Sequence, residues 1–246
     1  MPGVSSNKRL IRFPDPAQAE PDGLVAIGGD LTPERILSAY RQGIFPWYNT
    51  GQPILWWSPD PRMVLYPQEF QPRRSLRKAL KNSSLSIRFD TAFERVIQAC
   101  AETPRPNQTG TWITPEMLTA YSALHHQGIA HSVETWDGDT LVGGLYGIAL
   151  GRIFFGESMF AHQTDASKIA FSHLVHFLKQ HKALLLDCQF HTDHLASLGA
   201  RLVPRSEFLA QLKKGLRKST SALPSGNWHH FSSVPYSTAC LNKVAP

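Results

Sequence analysis

The sequence predicts an α+β protein in two parts, a small N-terminal domain over residues 1–62 and a larger one over 63–246. Three observations carry that expectation. Strand-like runs gather between 131 and 160 with turn signals between them, instead of alternating with helices throughout. Helix and strand signals then alternate from about 165 to 215. The first sixty residues, by contrast, are dense in Pro, Gly and Trp. With 246 residues, 42% of them hydrophobic, the chain has enough apolar material for a sizeable core.

Taken in order, residues 23–30 read as a short strand ending in a turn. Thr32-Pro33-Glu34 opens a helix, with Thr32 as N-cap and Pro33 at the first position, and Gly43 closes it. Trp47, Trp56 and Trp57 lie among prolines in no periodic pattern. They fit either a small proline-stiffened core or the rim of an aromatic pocket. From Met63 regular elements follow: a strand at 63–66, a basic helix at 73–81, an amphipathic helix at 89–101 and a polar loop at 104–110. Thr114-Pro115-Glu116 caps another helix, which ends at Gly128. Strands at 131–136, 141–150 and 152–160 are joined by Asp137-Gly138 and Gly151. A helix at 165–182, an apolar strand at 184–190, a short helix ending near Gly199, a strand at 201–203 and a helix from Ser206 complete the ordered part. The Ser/Pro/His-rich tail after about 219 has no periodicity and is expected to be loosely held.

A meander followed by helix, strand, helix and strand resembles the second half of the N-acetyltransferase-like (GNAT) fold, so the larger domain is expected to be GNAT-like. In that fold a gap between central strands admits an acyl donor and an acceptor amine. Members that use acyl-CoA carry a glycine-rich loop before the helix that follows the fourth strand. The corresponding stretch here, 160–168, has no glycine and places Asp165 at the helix start. That disfavours a pyrophosphate and calls for another activated acyl donor.

Charge suggests which one. The formal net charge is +6, and it is clustered. Arg73, Arg74, Arg77, Lys78 and Lys81 share the basic helix at i,i+4 spacing, a like-charge arrangement favoured opposite a phosphate backbone. Lys213, Lys214, Arg217 and Lys218 form a second cluster. In the apolar strand at 184–190, alternation puts Asp187 and Gln189 on one face and Cys188 on the other. Asp187 must find partners there, either loop amides or reacting groups in the strand gap. Cys188 has no base tied to it by spacing and reads as a core residue. Glu157 is a second acid within an apolar strand, suited to holding a cation, with Phe154, Met159 and Phe160 as apolar wall. His191 and His194 lack a third ligand, so no metal site is expected. Three cysteines without a C-x-x-C, no signal-peptide pattern, and apolar runs far below the ~20 residues of a membrane span fit a reduced cytoplasm and no membrane.

Several motifs go beyond composition: Gly28-Gly29-Asp30-Leu31, Tyr40-Arg41-Gln42-Gly43-Ile44-Phe45-Pro46-Trp47, Trp56-Trp57-Ser58-Pro59-Asp60-Pro61-Arg62, Gly110-Thr111-Trp112-Ile113-Thr114, Leu141-Val142-Gly143-Gly144, Phe155-Gly156-Glu157-Ser158-Met159-Phe160 and Asp187-Cys188-Gln189. Together they resemble the bacterial leucyl/phenylalanyl-tRNA–protein transferase family. The resemblance implies transfer of Leu or Phe, and less efficiently Met, from aminoacyl-tRNA to proteins beginning with Arg or Lys, marking them for N-end rule degradation without a cofactor. It places Tyr40, Trp47, Trp112, Tyr121, Leu145, Phe154, Glu157, Ser158, Met159, Leu174 and Leu186 in substrate binding, and Asp187 and Gln189 at the reaction centre. Leu145 and Leu174 stand where the family carries Met and Phe. Two rival readings are a Fem-type tRNA-dependent transferase acting on cell-wall precursors and a non-catalytic RNA-binding protein.

Overall fold

Two sheets organise the chain in the computed structural model, which describes residues 12–104, 111–217 and 222–232. The first comes from the segment that looked aperiodic. Strands β1 (Leu24–Ile27), β2 (Phe45–Pro46) and β3 (Leu55–Trp57) form an antiparallel sheet with β3 central. Strands of two to four residues are too short to show a period. They are held partly through side chains: the Trp56 indole donates to the Gly28 carbonyl at 2.8 Å and the Trp57 indole to the Trp47 carbonyl at 2.7 Å. Helix α1 (Pro33–Arg41) buries Ile36, Ala39 and Tyr40 at helical spacing. Thr32 precedes it without capping it through its side chain; its hydroxyl donates instead to Asp30, which also pairs with Arg35. Gly43 follows at φ +78°, packed so tightly that a Cβ would lie 2.7 Å from Leu209 and 2.9 Å from Phe208. Only glycine meets both demands.

Among the described residues the second sheet has seven strands. In chain order they are β4 (Arg62–Leu65), β5 (Ser86–Phe89), β6 (Ala130–Asp137), β7 (Thr140–Leu150), β8 (Ile153–Ala161), β9 (Leu185–Gln189) and β10 (Arg201–Val203). In space they run β10-β4-β9-β8-β7-β6-β5. Helices α2 (Arg74–Asn82) and α5 (Ala166–Gln180) pack on one face, while α1, α3 (Phe93–Glu102), α4 (Pro115–His126) and α7 (Arg205–Gly215) pack on the other. A short helix, α6 (Asp193–Ser197), links β9 to β10. Thr114 caps α4 as expected, its hydroxyl accepting from the Met117 amide. This is the α+β, GNAT-like arrangement: an antiparallel meander, then the α5 crossover to a strand, β9, that lies parallel to β8.

Two elements differ from expectation. Phe89 ends strand β5 instead of opening a helix, and α3 begins at Phe93. Phe89 and Phe93 are four residues apart, so the buried end of a strand imitates a first helical turn. Asp90, at φ +54°, makes the break. The tail is also not loose throughout. Residues 222–232 lie against β5 and α5, with Leu223 and Trp228 buried and the Phe89 amide donating to the Ser232 hydroxyl. Two isolated apolar anchors hold it, and these give no periodicity to read. Of the expected polar loop at 104–110, residues 105–110 lie outside the described residues, as does Lys218. No helix among the described residues is long and apolar enough to cross a membrane.

Candidate active site

Strands β8 and β9 pair over only three positions, Ile153 with Leu185, Phe154 with Leu186 and Phe155 with Asp187. Beyond them β8 stays with β7 while β9 runs on beside β4 to Gln189, and a cavity of about 590 Å³ opens in the gap. Its wall is mostly apolar: Leu145 from β7, Met159 and Phe160 from β8, Phe171 and Leu174 from α5, and Leu186 and Cys188 from β9. Glu157, Ser158 and Gln189 bring polar atoms to the same space.

Glu157 is the centre of this polar end. The Tyr40 hydroxyl donates to its Oε1 at 2.7 Å, the Tyr121 hydroxyl reaches Oε2 at 3.2 Å, and the Gln189 amide donates to Oε1 at 3.1 Å. The two tyrosine oxygens are themselves 2.6 Å apart. Burial disfavours the charged carboxylate and pushes its pKa up to about 7, with the Asp187 charge adding to the rise and the three donors opposing it. Burial also holds both tyrosines well above the usual phenol value, so they stay protonated donors. Because the carboxylate takes the Gln189 NH2, the amide oxygen of Gln189 is turned away from it.

Asp187 and Gln189 do not share a face. Gln189 has φ +62°, which ends the strand and breaks the alternation, so Gln189 lines the cavity together with Cys188 while Asp187 does not. The Asp187 carboxylate is fully buried and holds Arg62 through two hydrogen bonds of 2.8 and 2.7 Å. It also accepts the Gln189 backbone N–H at 3.0 Å. Asp187 therefore meets Gln189 through the backbone, and the Gln189 side chain answers to Glu157. Cys188 lines the cavity instead of facing away, but burial pushes its thiol well above its usual pKa, which leaves it a poor nucleophile.

The other expected residues divide. Leu145, Ser158, Met159, Leu174 and Leu186 line the cavity, and Tyr40 and Tyr121 stand behind Glu157. Trp47 sits beside the site, in a cluster with Trp57 and Phe190, the residue after Gln189. Trp112 is buried just before α4. Phe154 is buried on the α5 face near Trp228, within the stretch of β8 still paired with β9, and does not line the cavity. Arg62 and Phe171 are additions; nothing in the sequence signals that Arg62 is buried against a partner far along the chain. On α2, Leu76 points inward while Arg74, Arg77, Lys78 and Lys81 are exposed, as is Arg73 just before the first turn. None of the five forms an ion pair among the described residues. Lys213, Lys214 and Arg217 lie at the end of α7, a helix on the opposite face of the sheet from α2. Among the described residues no three His, Cys, Asp or Glu side chains come together to hold a metal ion.

Comparison with known proteins follows the same lines. The model for "Leucyl/phenylalanyl-tRNA protein transferase" matches residues 64–213, and the model for that family's N-terminal domain matches 29–60. A protein named leucyl/phenylalanyl-tRNA–protein transferase from Anaeromyxobacter dehalogenans is 55% identical, over 91% of this chain and 94% of its own. One of the same name from Nitrosomonas europaea is 56% identical over the same shares. Among solved structures, a functionally unknown conserved protein from Staphylococcus epidermidis superposes with a TM-score of 0.40 at 8% identity, over 74% of this chain and 68% of that one. Identity above one half along nearly the full length of both chains, together with the two family models, means that the chain belongs to the leucyl/phenylalanyl-tRNA protein transferase family and is an aminoacyltransferase.

Proposed function

We propose that the protein moves Leu or Phe, and Met less efficiently, from aminoacyl-tRNA to the α-amino group of proteins beginning with Arg or Lys, marking them for N-end rule degradation in the cytoplasm. The observation that carries this reading is an apolar cavity ending at a buried carboxylate held by Tyr40, Tyr121 and Gln189. The donor's apolar side chain fills the cavity. Its ester carbonyl then lies near Glu157 and Gln189. The acceptor amine donates to the Gln189 amide oxygen, and its nitrogen attacks the carbonyl carbon. Glu157 takes the proton released as the C–N bond forms. The C–O bond to the tRNA 3′-terminal ribose breaks, and the ribose oxygen leaves with the proton that Glu157 took, which returns the carboxylate to its starting state. The ester is already activated, so positioning and proton transfer are all the protein must supply. Labelled Phe-tRNA offered with an Arg-starting peptide, a cell-wall precursor or no acceptor tests this directly. Transfer to the peptide alone is expected; transfer to the precursor would favour the Fem-type reading, and none at all a binding protein.

The cavity wall sets donor choice. A dry apolar pocket accepts Leu, Phe and Met and rejects charged side chains, which would lose water without gaining partners. Leu174→Phe adds bulk at this wall and is expected to shift the Leu:Phe transfer ratio toward Leu by about tenfold. An unchanged ratio would remove Leu174 from the side-chain contact.

The exposed cations of α2 fit the tRNA backbone. Replacing Arg74 and Lys78 with Ala is expected to flatten the salt dependence of tRNA binding by about one to two log units per log unit of salt. Transfer from a short aminoacyl-adenosine donor should suffer much less. A full salt slope in the double variant would make these residues a merely solvated face.

A further inference from the structure

Arg62 opens β4 and is wholly buried. Its Nε and Nη2 donate to the two Asp187 oxygens, and its Nη1 donates to the Gly43 carbonyl at 3.2 Å. The Phe45 and Phe208 rings cover the guanidinium at 4.7 and 4.4 Å. The group is thus fixed by β2, β9, α7 and the turn after α1 at once. Asp187 is the next link, because the oxygen that accepts from Arg62 Nε also accepts the Gln189 N–H. Gln189 stands in a left-handed conformation that a residue with a Cβ rarely adopts unaided. From it, the side chain reaches Glu157.

We propose that Arg62 is a positioning residue for the transfer reaction: by pinning and neutralising Asp187 it holds Gln189 in the conformation that aims its amide at Glu157, and it shields Glu157 from the Asp187 charge. The inference rests on the reading of Glu157 as the base. The groups that face Glu157 are Tyr40 from α1, Tyr121 from α4, and Gln189 and Asp187 from β9, with Arg62 from β4 behind Asp187. The tyrosines remain neutral, so Asp187 and Arg62 are the charges that matter.

Opposite charges give the test its direction. Asp187→Asn removes the anion and leaves the cation, so the acidic limb of the kcat–pH profile is expected to move down by about one pH unit. Arg62→Gln unmasks the anion and should move the limb up. Both variants break the same ion pair, so a merely structural pair would lower activity without opposed shifts. Each variant is expected to lose about 10–100-fold in kcat through the freed Gln189, with KM for aminoacyl-tRNA little changed, since neither side chain lines the cavity. The double variant Arg62→Gln/Asp187→Asn replaces the ion pair with a neutral amide pair and keeps the protein measurable if a lone buried charge unfolds either single variant. Its limb should return close to that of the wild type. Limbs that stay put, or move together, in the single variants would overturn the inference, as would a double variant whose limb moves by a full pH unit. A Glu157→Gln enzyme with full activity would instead overturn the reading beneath it.

Discussion

Replacing Glu157 with Gln is expected to lower kcat by roughly 10²–10⁴-fold, the range lost with a positioned general base, while aminoacyl-tRNA still binds. The substitution keeps the size of the side chain and removes its ability to take a proton. It also sets an NH2 group among three donors that now converge on the carboxylate, so some misalignment of Gln189 adds to the loss. The wild-type enzyme carries its own check. Glu157 acts as a base only when ionised, and its pKa is raised to about 7. Turnover should therefore fall as pH drops through that value and level off above it, well above the limb of an ordinary carboxylate. The Glu157→Gln variant should lose that limb along with most of its rate. Single-turnover measurements with a saturating Arg-starting peptide separate this step from binding. Wild-type turnover in the variant would remove Glu157 from the chemistry.

Trp228→Ala is expected to destabilise the fold by about 3–5 kcal/mol, the usual range for emptying a large buried aromatic site. Trp228 is fully buried, stacked on His131 with ring centroids 3.6 Å apart, and in contact with Phe177 at 4.6 Å. Its indole N–H donates to the Pro224 carbonyl, and its backbone N–H donates to Asp90. The same Asp90 carboxylate accepts from His131 and from the Ser132 amide. Removing the ring therefore leaves a cavity beside a charged group that loses part of its cover. In a protein of this size the change corresponds to a fall in melting temperature of roughly 6–20 °C. Truncation after residue 217 should have an effect of similar order. Urea melts of both variants decide the matter; a loss under about 1 kcal/mol would make residues 222–232 a surface appendage.

Much of this architecture is visible in the amino-acid order, and the parts that are not share a cause. Long periodic elements such as α5 and β6–β8 announce themselves, as does the Thr114 cap, because local chemistry and burial agree there. β2 and β3 are too short for a period. Alternation puts Asp187 and Gln189 on one strand face because it assumes extended backbone throughout; one left-handed residue defeats it, and Gln carries no mark of that conformation as Gly does. Leu145, Met159, Leu174, Leu186 and Glu157 are legible from motif and pattern together, whereas Phe171 and the cavity-facing side of Cys188 are not. Arg62 and Trp228 are not legible either, since each acquires its role from a distant partner and has no sequence neighbour that hints at it.

The place of β4 between β9 and β10 has a consequence for how the molecule comes into being. Arg62 and Asp187 are 125 positions apart, and β4 finds both of its neighbours among strands made much later in synthesis. Strand β4 must wait, with its edges uncovered, until β9 and β10 have emerged. Contacts of such long separation form slowly, and uncovered strand edges invite association with other chains meanwhile. The meander β5–β8 and its helices can consolidate first, but the Glu157 carboxylate acquires Gln189 only when β9 docks beside β4. Catalytic competence is thus one of the last properties a newly made chain gains, and an unfinished chain is an inactive one.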